Sequence, residues 1–121
     1  MSKILLVEDD LFLSSLLANR LKKENFEVVP VKDGNDAIKS LGESRPDVML
    51  LDIILPGKSG FEILEFMKSQ PKLEGLPVIV ISNLGQENDI ERAKSLGAID
   101  YFIKARTSID DLVKKVKSYI K

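Results

Sequence analysis

Val48-Met49-Leu50-Leu51-Asp52-Ile53-Ile54-Leu55-Pro56 decides the fold. Residues 48–51 are all apolar, and the run is short. That is the pattern of a strand buried on both faces, and it points to a parallel sheet between two helical layers. The run ends on a carboxylate, Asp52. Pro56, with Gly57 and Gly60 close behind, then forces a loop. Asp52 is therefore expected at the carboxyl end of a central strand, where open α/β sheets hold their ligands.

The same signals recur outward from this stretch. Towards the amino end, residues 4–7 form a first strand closed by Glu8-Asp9-Asp10. Leu13, Leu16, Leu17 and Leu21 follow at helical spacing, with Arg20, Lys22 and Lys23 at the end of that helix, where positive charge suits the dipole. Residues 26–31 read as a second strand. Asp33-Gly34 is a turn, and Ala37, Ile38 and Leu41 mark a helix that stops near Gly42, before Pro46. Towards the carboxyl end, Phe61, Ile63, Leu64, Phe66 and Met67 mark a third helix, ended by Pro71. Residues 78–81 form a strand leading to Ser82. Ile90, Ala93 and Leu96 mark a helix closed by Gly97. Residues 101–103 form a last strand ending at Lys104. Ile109, Leu112, Val113, Val116 and Ile120 give the last helix its apolar stripe, and Thr107 or Ser108 is its N-cap.

Strict alternation of five strands with five helices implies an α/β fold of three layers: a doubly wound, five-stranded parallel sheet covered on both faces. Right-handed crossovers leave few topologies, and the flavodoxin-like order 2-1-3-4-5 is the common one at this size. In that order the first and third strands are neighbours. Glu8, Asp9 and Asp52 then share one end of the sheet with Ser82 and Lys104.

Composition narrows the chemistry. The 121 residues suit a single domain over 1–121, with no effector domain expected. The formal charge of -1, from 18 basic and 19 acidic residues, offers no bulk attraction to nucleic acid or to an anionic membrane. There is no cysteine and no histidine. That excludes disulfides, thiolate and imidazole metal sites, Cys-His and Ser-His nucleophiles, and self-phosphorylation on histidine. Met1-Ser2-Lys3 runs straight into the first strand with no signal peptide, and no apolar run is long enough to span a bilayer, so a cytoplasmic location is expected.

Three carboxylates brought together repel one another. Two unit charges about 4 Å apart at an effective dielectric near 20 cost roughly 4 kcal/mol. A proton or a cation must relieve this, and an oxygen-only cluster suits a hard cation, Mg²⁺ above all. Ser82 can donate to a phosphoryl oxygen. Lys104 can pair with Asp52 in the empty site and with a phosphoryl group in the filled one. These are the requirements of phosphoryl transfer, with Asp52 as the nucleophile that forms an acyl phosphate. Gly57-Lys58-Ser59 imitates the end of a P-loop, but the glycine required five positions earlier is Asp52, so a nucleotide cradle is rejected. No G-x-G-x-x-G follows the first strand, which disfavours dinucleotide binding.

Taken together, Glu8-Asp9 after an apolar strand, Asp52 to Gly60, Ser82, and Tyr101 three residues before Lys104 resemble the receiver domain of two-component response regulators (CheY-like), across essentially the whole chain. The 2-1-3-4-5 order is among the features that the resemblance brings with it. The resemblance implies that Asp52 accepts a phosphoryl group from a sensor histidine kinase or phosphotransfer protein. It implies that Asp9 and Asp52 bind Mg²⁺ with the backbone carbonyl of Ile54, while Glu8 acts mainly through water. Ser82 and Lys104 would contact the phosphoryl oxygens, and the rotamer of Tyr101 would follow Ser82. A downstream protein would then read the face built by the fourth helix, fifth strand and fifth helix. Such a domain is a phosphoacceptor rather than an enzyme, and a monomer or a weak, phosphorylation-dependent dimer.

This sequence also departs from the family pattern. Ala105 stands where a proline joined through a cis peptide usually follows the lysine. A cis bond without proline costs about 3–4 kcal/mol, so trans is expected, with an altered loop and a less firmly held Lys104. Asn83 replaces the usual small residue after Ser82 and is expected to crowd or hydrogen-bond the phosphoryl site. Ile54 and Leu84 are bulky and apolar at the two positions that tune hydrolysis, so slow autodephosphorylation is expected. Two other readings compete. One is a receiver-like scaffold that binds partners regardless of phosphorylation. The other is a haloacid-dehalogenase-type phosphatase, but that needs a second acid two residues after Asp52, where Ile54 stands. Single residues also have more modest readings: Asp10 as a helix N-cap, Tyr101 as a half-buried strand aromatic, and Lys114, Lys115, Lys117 and Lys121 as a solvated helix face.

Overall fold

The computed structural model describes residues 1–120. Its elements alternate from end to end: β1 (Lys3–Val7), α1 (Leu11–Lys23), β2 (Glu27–Val31), α2 (Gly34–Glu43), β3 (Val48–Leu51), α3 (Gly60–Lys68), β4 (Val78–Ser82), α4 (Glu87–Ser95), β5 (Asp100–Ile103) and α5 (Ile109–Tyr119). Short 3-10 turns lie at Pro71–Leu73 and Lys104–Arg106. The five strands pair in parallel in the order β2-β1-β3-β4-β5, as expected from the alternation.

The side-chain period of a strand splits the core in two. Leu5 and Val7, Met49 and Leu51, and Val78 and Val80 face one side, where Ala37 and Leu41 of α2, Ile63 and Leu64 of α3, and Ala93 of α4 cover them. Ile4 and Leu6, Val48 and Leu50, and Ile79 and Ile81 face the other, against Leu17, Ala18 and Leu21 of α1 and Leu112, Val113 and Val116 of α5. Continuous apolar strands are thus the direct consequence of two covered faces.

Two local expectations are corrected, the buried face of α1 and the end of β5, and two are made more definite. The buried face of α1 is Ser14, Leu17, Ala18 and Leu21. Leu16 lies off that stripe and is 42% exposed, because the core-facing positions follow i, i+3, i+4, i+7 from Ser14. α3 ends at Lys68, before Pro71, which opens a 3-10 turn. β5 ends at Ile103, and Lys104 begins the next turn. Of the two N-cap choices for α5, Ser108 is the cap, accepting from the Asp111 N–H at 3.1 Å, while the Thr107 hydroxyl donates to the Ile103 carbonyl. Among the described residues no peptide bond is cis, so Lys104–Ala105 is trans, as expected. No helix there is long and apolar enough to cross a membrane.

Candidate functional site

The register of the sheet sets the site. Val7 pairs with Leu51, so Glu8 and Asp52 leave neighbouring strands at the same level. The Asp52 N–H donates to the Val7 carbonyl at 3.0 Å and the Glu8 N–H to the Val31 carbonyl at 3.0 Å, carrying each ladder one residue past its strand. Ser82 pairs with Ile103, which brings Lys104 beside the end of β4. Behind Asp52 the chain must turn at once into α3. Gly60 permits this: its N–H donates to the Ile53 carbonyl at 2.8 Å, and a Cβ there would stand 2.5 Å from the Asp52 carbonyl oxygen. The capping box of Ser59 and Glu62 then starts the helix.

Glu8, Asp9 and Asp52 each offer one carboxylate oxygen, and these atoms lie within 4.8 Å of one another. Asp52 and Glu8 are buried, whereas Asp9 faces solvent. The two Asp52 oxygens have different partners. Oδ1 accepts from the N–H groups of Ile53 at 2.7 Å and Ile54 at 3.3 Å. Oδ2 accepts from Lys104 Nζ at 2.7 Å. The same ammonium lies 2.7 Å from Glu8 Oε1. That contact lacks hydrogen-bonding geometry, and Oε1 is left buried with no directed partner. Glu8 Oε2 accepts from the Asp10 N–H at 3.0 Å.

Burial pushes the Glu8 carboxyl up, and the nearby Asp52 charge adds to this, against the lowering pull of Lys104 and the Asp10 N–H. Burial works against the Lys104 charge, but the hydrogen bond to Asp52 and the pairing with Glu8 outweigh it and raise its pKa. One ammonium thus serves two buried carboxylates, and Glu8 Oε1 is still without a hydrogen bond. A hard cation or its bound water fits such a donor set, which is all oxygen.

A model of the response regulator receiver domain matches residues 4–117. The chain belongs to that family. This receiver domain is 38% identical over 119 residues to the phosphate regulon transcriptional regulatory protein PhoB of Rhizobium meliloti (strain 1021), covering 98% of the chain and 52% of that protein. It thus spans about half the length of the curated relative it matches. Among solved structures it resembles the phosphorylated cyanobacterial phytochrome response regulator RcpA at 36% identity, with a TM-score of 0.84 over 97% of this chain and 89% of that one. It also resembles the BeF3-activated N-terminal receiver domain of Klebsiella pneumoniae RstA at 29% identity, with a TM-score of 0.89 over 99% of both.

The remaining residues singled out from the sequence of the receiver domain lie around this cluster. Ser82 is fully buried, and its Oγ accepts from the Leu84 N–H at 3.3 Å. Tyr101 is partly buried, and its hydroxyl donates to the Leu84 carbonyl. Burial moves the Tyr101 phenol up, partly offset by Ser82. Leu84 therefore links the two expected switch residues through its backbone. The Ile54 side chain is 59% exposed beside the site. Asp10 caps α1, accepting from the Phe12 N–H at 3.0 Å and the Leu13 N–H at 3.2 Å.

Two features were not read from the sequence. The backbone donors of Ile53 and Ile54 that fix Asp52 Oδ1 belong to the turn itself, and only the Pro56-Gly57 signal hinted at that turn. Asn83, expected at the phosphoryl site, instead accepts from the Ala105 N–H through Oδ1 at 3.1 Å.

Proposed function

We propose that Asp52 accepts a phosphoryl group from a phosphohistidine, presented by a sensor histidine kinase or phosphotransfer protein, and that the modified receiver domain is read by a partner protein. The observation that carries this reading is the cluster of Glu8, Asp9 and Asp52 within 4.8 Å, with Lys104 Nζ 2.7 Å from Asp52 Oδ2. Oδ1 is pinned by two backbone N–H groups, so the nucleophile is oriented before a donor arrives. Attack forms a P–O bond at Asp52 as the P–N bond of the donor breaks. The departing imidazole nitrogen keeps the electron pair. Lys104 then has a phosphoryl oxygen to neutralise in place of the free carboxylate, and the Ser82 hydroxyl can donate to another.

Asp9, Asp52 and the Ile54 carbonyl would hold Mg²⁺, with Glu8 acting through water, and the ion would offset charge on the transferring group. The chain has no histidine to start the reaction itself, and the proposed chemistry is that of a phosphoacceptor rather than a turnover enzyme. Output is assigned to α4, β5 and α5. A phosphoryl group adds about -1.5 to -2 charges and new acceptors beside Ser82. A shift of Ser82 towards it would free the Leu84 N–H and disturb the Tyr101–Leu84 contact in the loop that leads into α4.

The test is intact mass after incubation with acetyl phosphate and Mg²⁺. One added phosphoryl group is expected in the wild type, lost without Mg²⁺ and lost in Asp52→Asn. No gain, together with no binding of beryllofluoride, would leave a phosphorylation-independent scaffold as the better description.

A further inference from the structure

Two departures from the family pattern meet in space. Asn83 follows Ser82, the last residue of β4, and Ala105 follows Lys104. Ser82 and Ile103 form the last pair of the β4–β5 ladder. The Asn83 side chain adds one more rung beyond it, accepting from the Ala105 N–H at 3.1 Å. The donor exists only because residue 105 is not proline, which has no N–H. Either departure alone would leave nothing to bond: a proline removes the donor, and a small residue at 83 removes the acceptor.

We propose that Asn83 is a positioning residue for the chemistry at Asp52, fastening the turn that carries Lys104. The proposal rests on the reading of Asp52 as phosphoacceptor. On the far side of Lys104, the Thr107 hydroxyl donates to the Ile103 carbonyl at 2.9 Å, and the Thr107 N–H approaches the Lys104 carbonyl at 3.5 Å. The Lys104 backbone is thus tied at both ends of its 3-10 turn. Its ammonium is the group that must leave Asp52 Oδ2 and meet the incoming phosphoryl oxygens. The strap also joins the residue after Ser82 to the residue after Lys104, so one hydrogen bond ties together the two backbone segments that carry the phosphoryl contacts. Asn83 and Ala105 are both exposed. A solvated hydrogen bond adds little to global stability, but small displacements of a catalytic group carry large rate penalties.

A double-mutant cycle on the full chain tests this, using Asn83→Ala, Ala105→Pro and the pair. The readouts are the initial rate of phosphorylation by acetyl phosphate at saturating Mg²⁺, Mg²⁺ affinity, and the Ala105 amide proton by NMR. Asn83→Ala is expected to slow phosphorylation roughly 5- to 20-fold with Mg²⁺ affinity unchanged, and to move the Ala105 amide proton upfield with loss of exchange protection. Once Ala105→Pro has removed the donor, Asn83→Ala should change the rate less than about twofold. Should the proline variant not fold, replacing Ala105 by lactate deletes the same N–H without the ring. An equal effect of Asn83→Ala in both backgrounds would mean that Asn83 acts on the phosphoryl site directly, overturning the proposal. An unchanged rate in Asn83→Ala, with a wild type that phosphorylates, would overturn it as well. A wild type that takes no phosphoryl group and binds no beryllofluoride would instead sink the reading of Asp52, and the strap with it.

Discussion

Lys104 lies between two buried carboxylates, and its consequences follow from charge alone. Its pKa is raised, so its stabilising contribution is complete at neutral pH and is lost only as pH rises through the shifted value. Glu8 is raised too, so its ionised form costs stability at neutral pH, and that cost falls as pH drops towards the ordinary carboxylate range. Lys104→Met keeps much of the apolar stem and removes the ammonium. Without metal, the loss is expected to be about 2 kcal/mol in urea unfolding, below the full cost of breaking a buried pair because Lys104 is 18% exposed and Glu8 can take up a proton. With saturating Mg²⁺ the deficit should shrink by more than half, as the cation takes over the carboxylates, and Mg²⁺ should bind more tightly than to the wild type. An equal deficit with and without Mg²⁺ would mean that the ion and the lysine do not share these groups. The pairing of Lys104 with Asp52 was legible in the sequence, because each residue directly follows an apolar strand run. The destination of the Asn83 side chain was not, since a one-residue difference in loop path decides which neighbour it meets.

At the scale of elements, the passage from β3 into α3 governs how accurately Asp52 is aimed. The apolar run and its terminal carboxylate were readable from period and punctuation. The closeness of α3 was not, because it depends on backbone approaching backbone. A Cβ on Gly60 would meet the Asp52 carbonyl oxygen at 2.5 Å and Ile53 Cα at 2.7 Å, and neither atom can yield as a flexible side chain would. Gly60→Ala is therefore expected to cost more than about 2 kcal/mol and to disturb the N–H groups that hold Asp52 Oδ1, so the phosphorylation rate should fall along with stability. Gly75 provides the contrast. Its φ is +77°, but nothing stands within 4 Å of an added Cβ, so Gly75→Ala should cost only about 1 kcal/mol and leave the rate unchanged. Urea denaturation of the two variants, each with its acetyl phosphate rate, separates close packing at the site from simple backbone strain elsewhere. The misassigned Leu16 teaches the same lesson: hydrophobicity at roughly helical spacing identifies a helix, but the face that turns inward is fixed by what packs on it.

For the molecule as a whole, folding concentrates negative charge. Alternating strands and helices bring carboxylates from β1 and β3 to one end of the sheet, and only Lys104 answers them there among the described residues. The unfolded chain has no such cluster, so an ion that binds it should stabilise the folded state by mass action. At ten times its dissociation constant, Mg²⁺ should add about 1.4 kcal/mol, or about 5 °C in thermal midpoint for a domain of this size. Asp9 is the exposed member of the three and the one easiest to neutralise without opening the core. Asp9→Asn should keep or slightly raise the metal-free midpoint, because it removes repulsion, and should lose most of the Mg²⁺-dependent rise. Matched KCl controls for screening, which acts on surface charges generally and would lift both proteins alike. If the wild type gained no more from Mg²⁺ than from KCl, the cluster would not be a cation site. If Asp9→Asn kept the full rise, the ion would be held elsewhere.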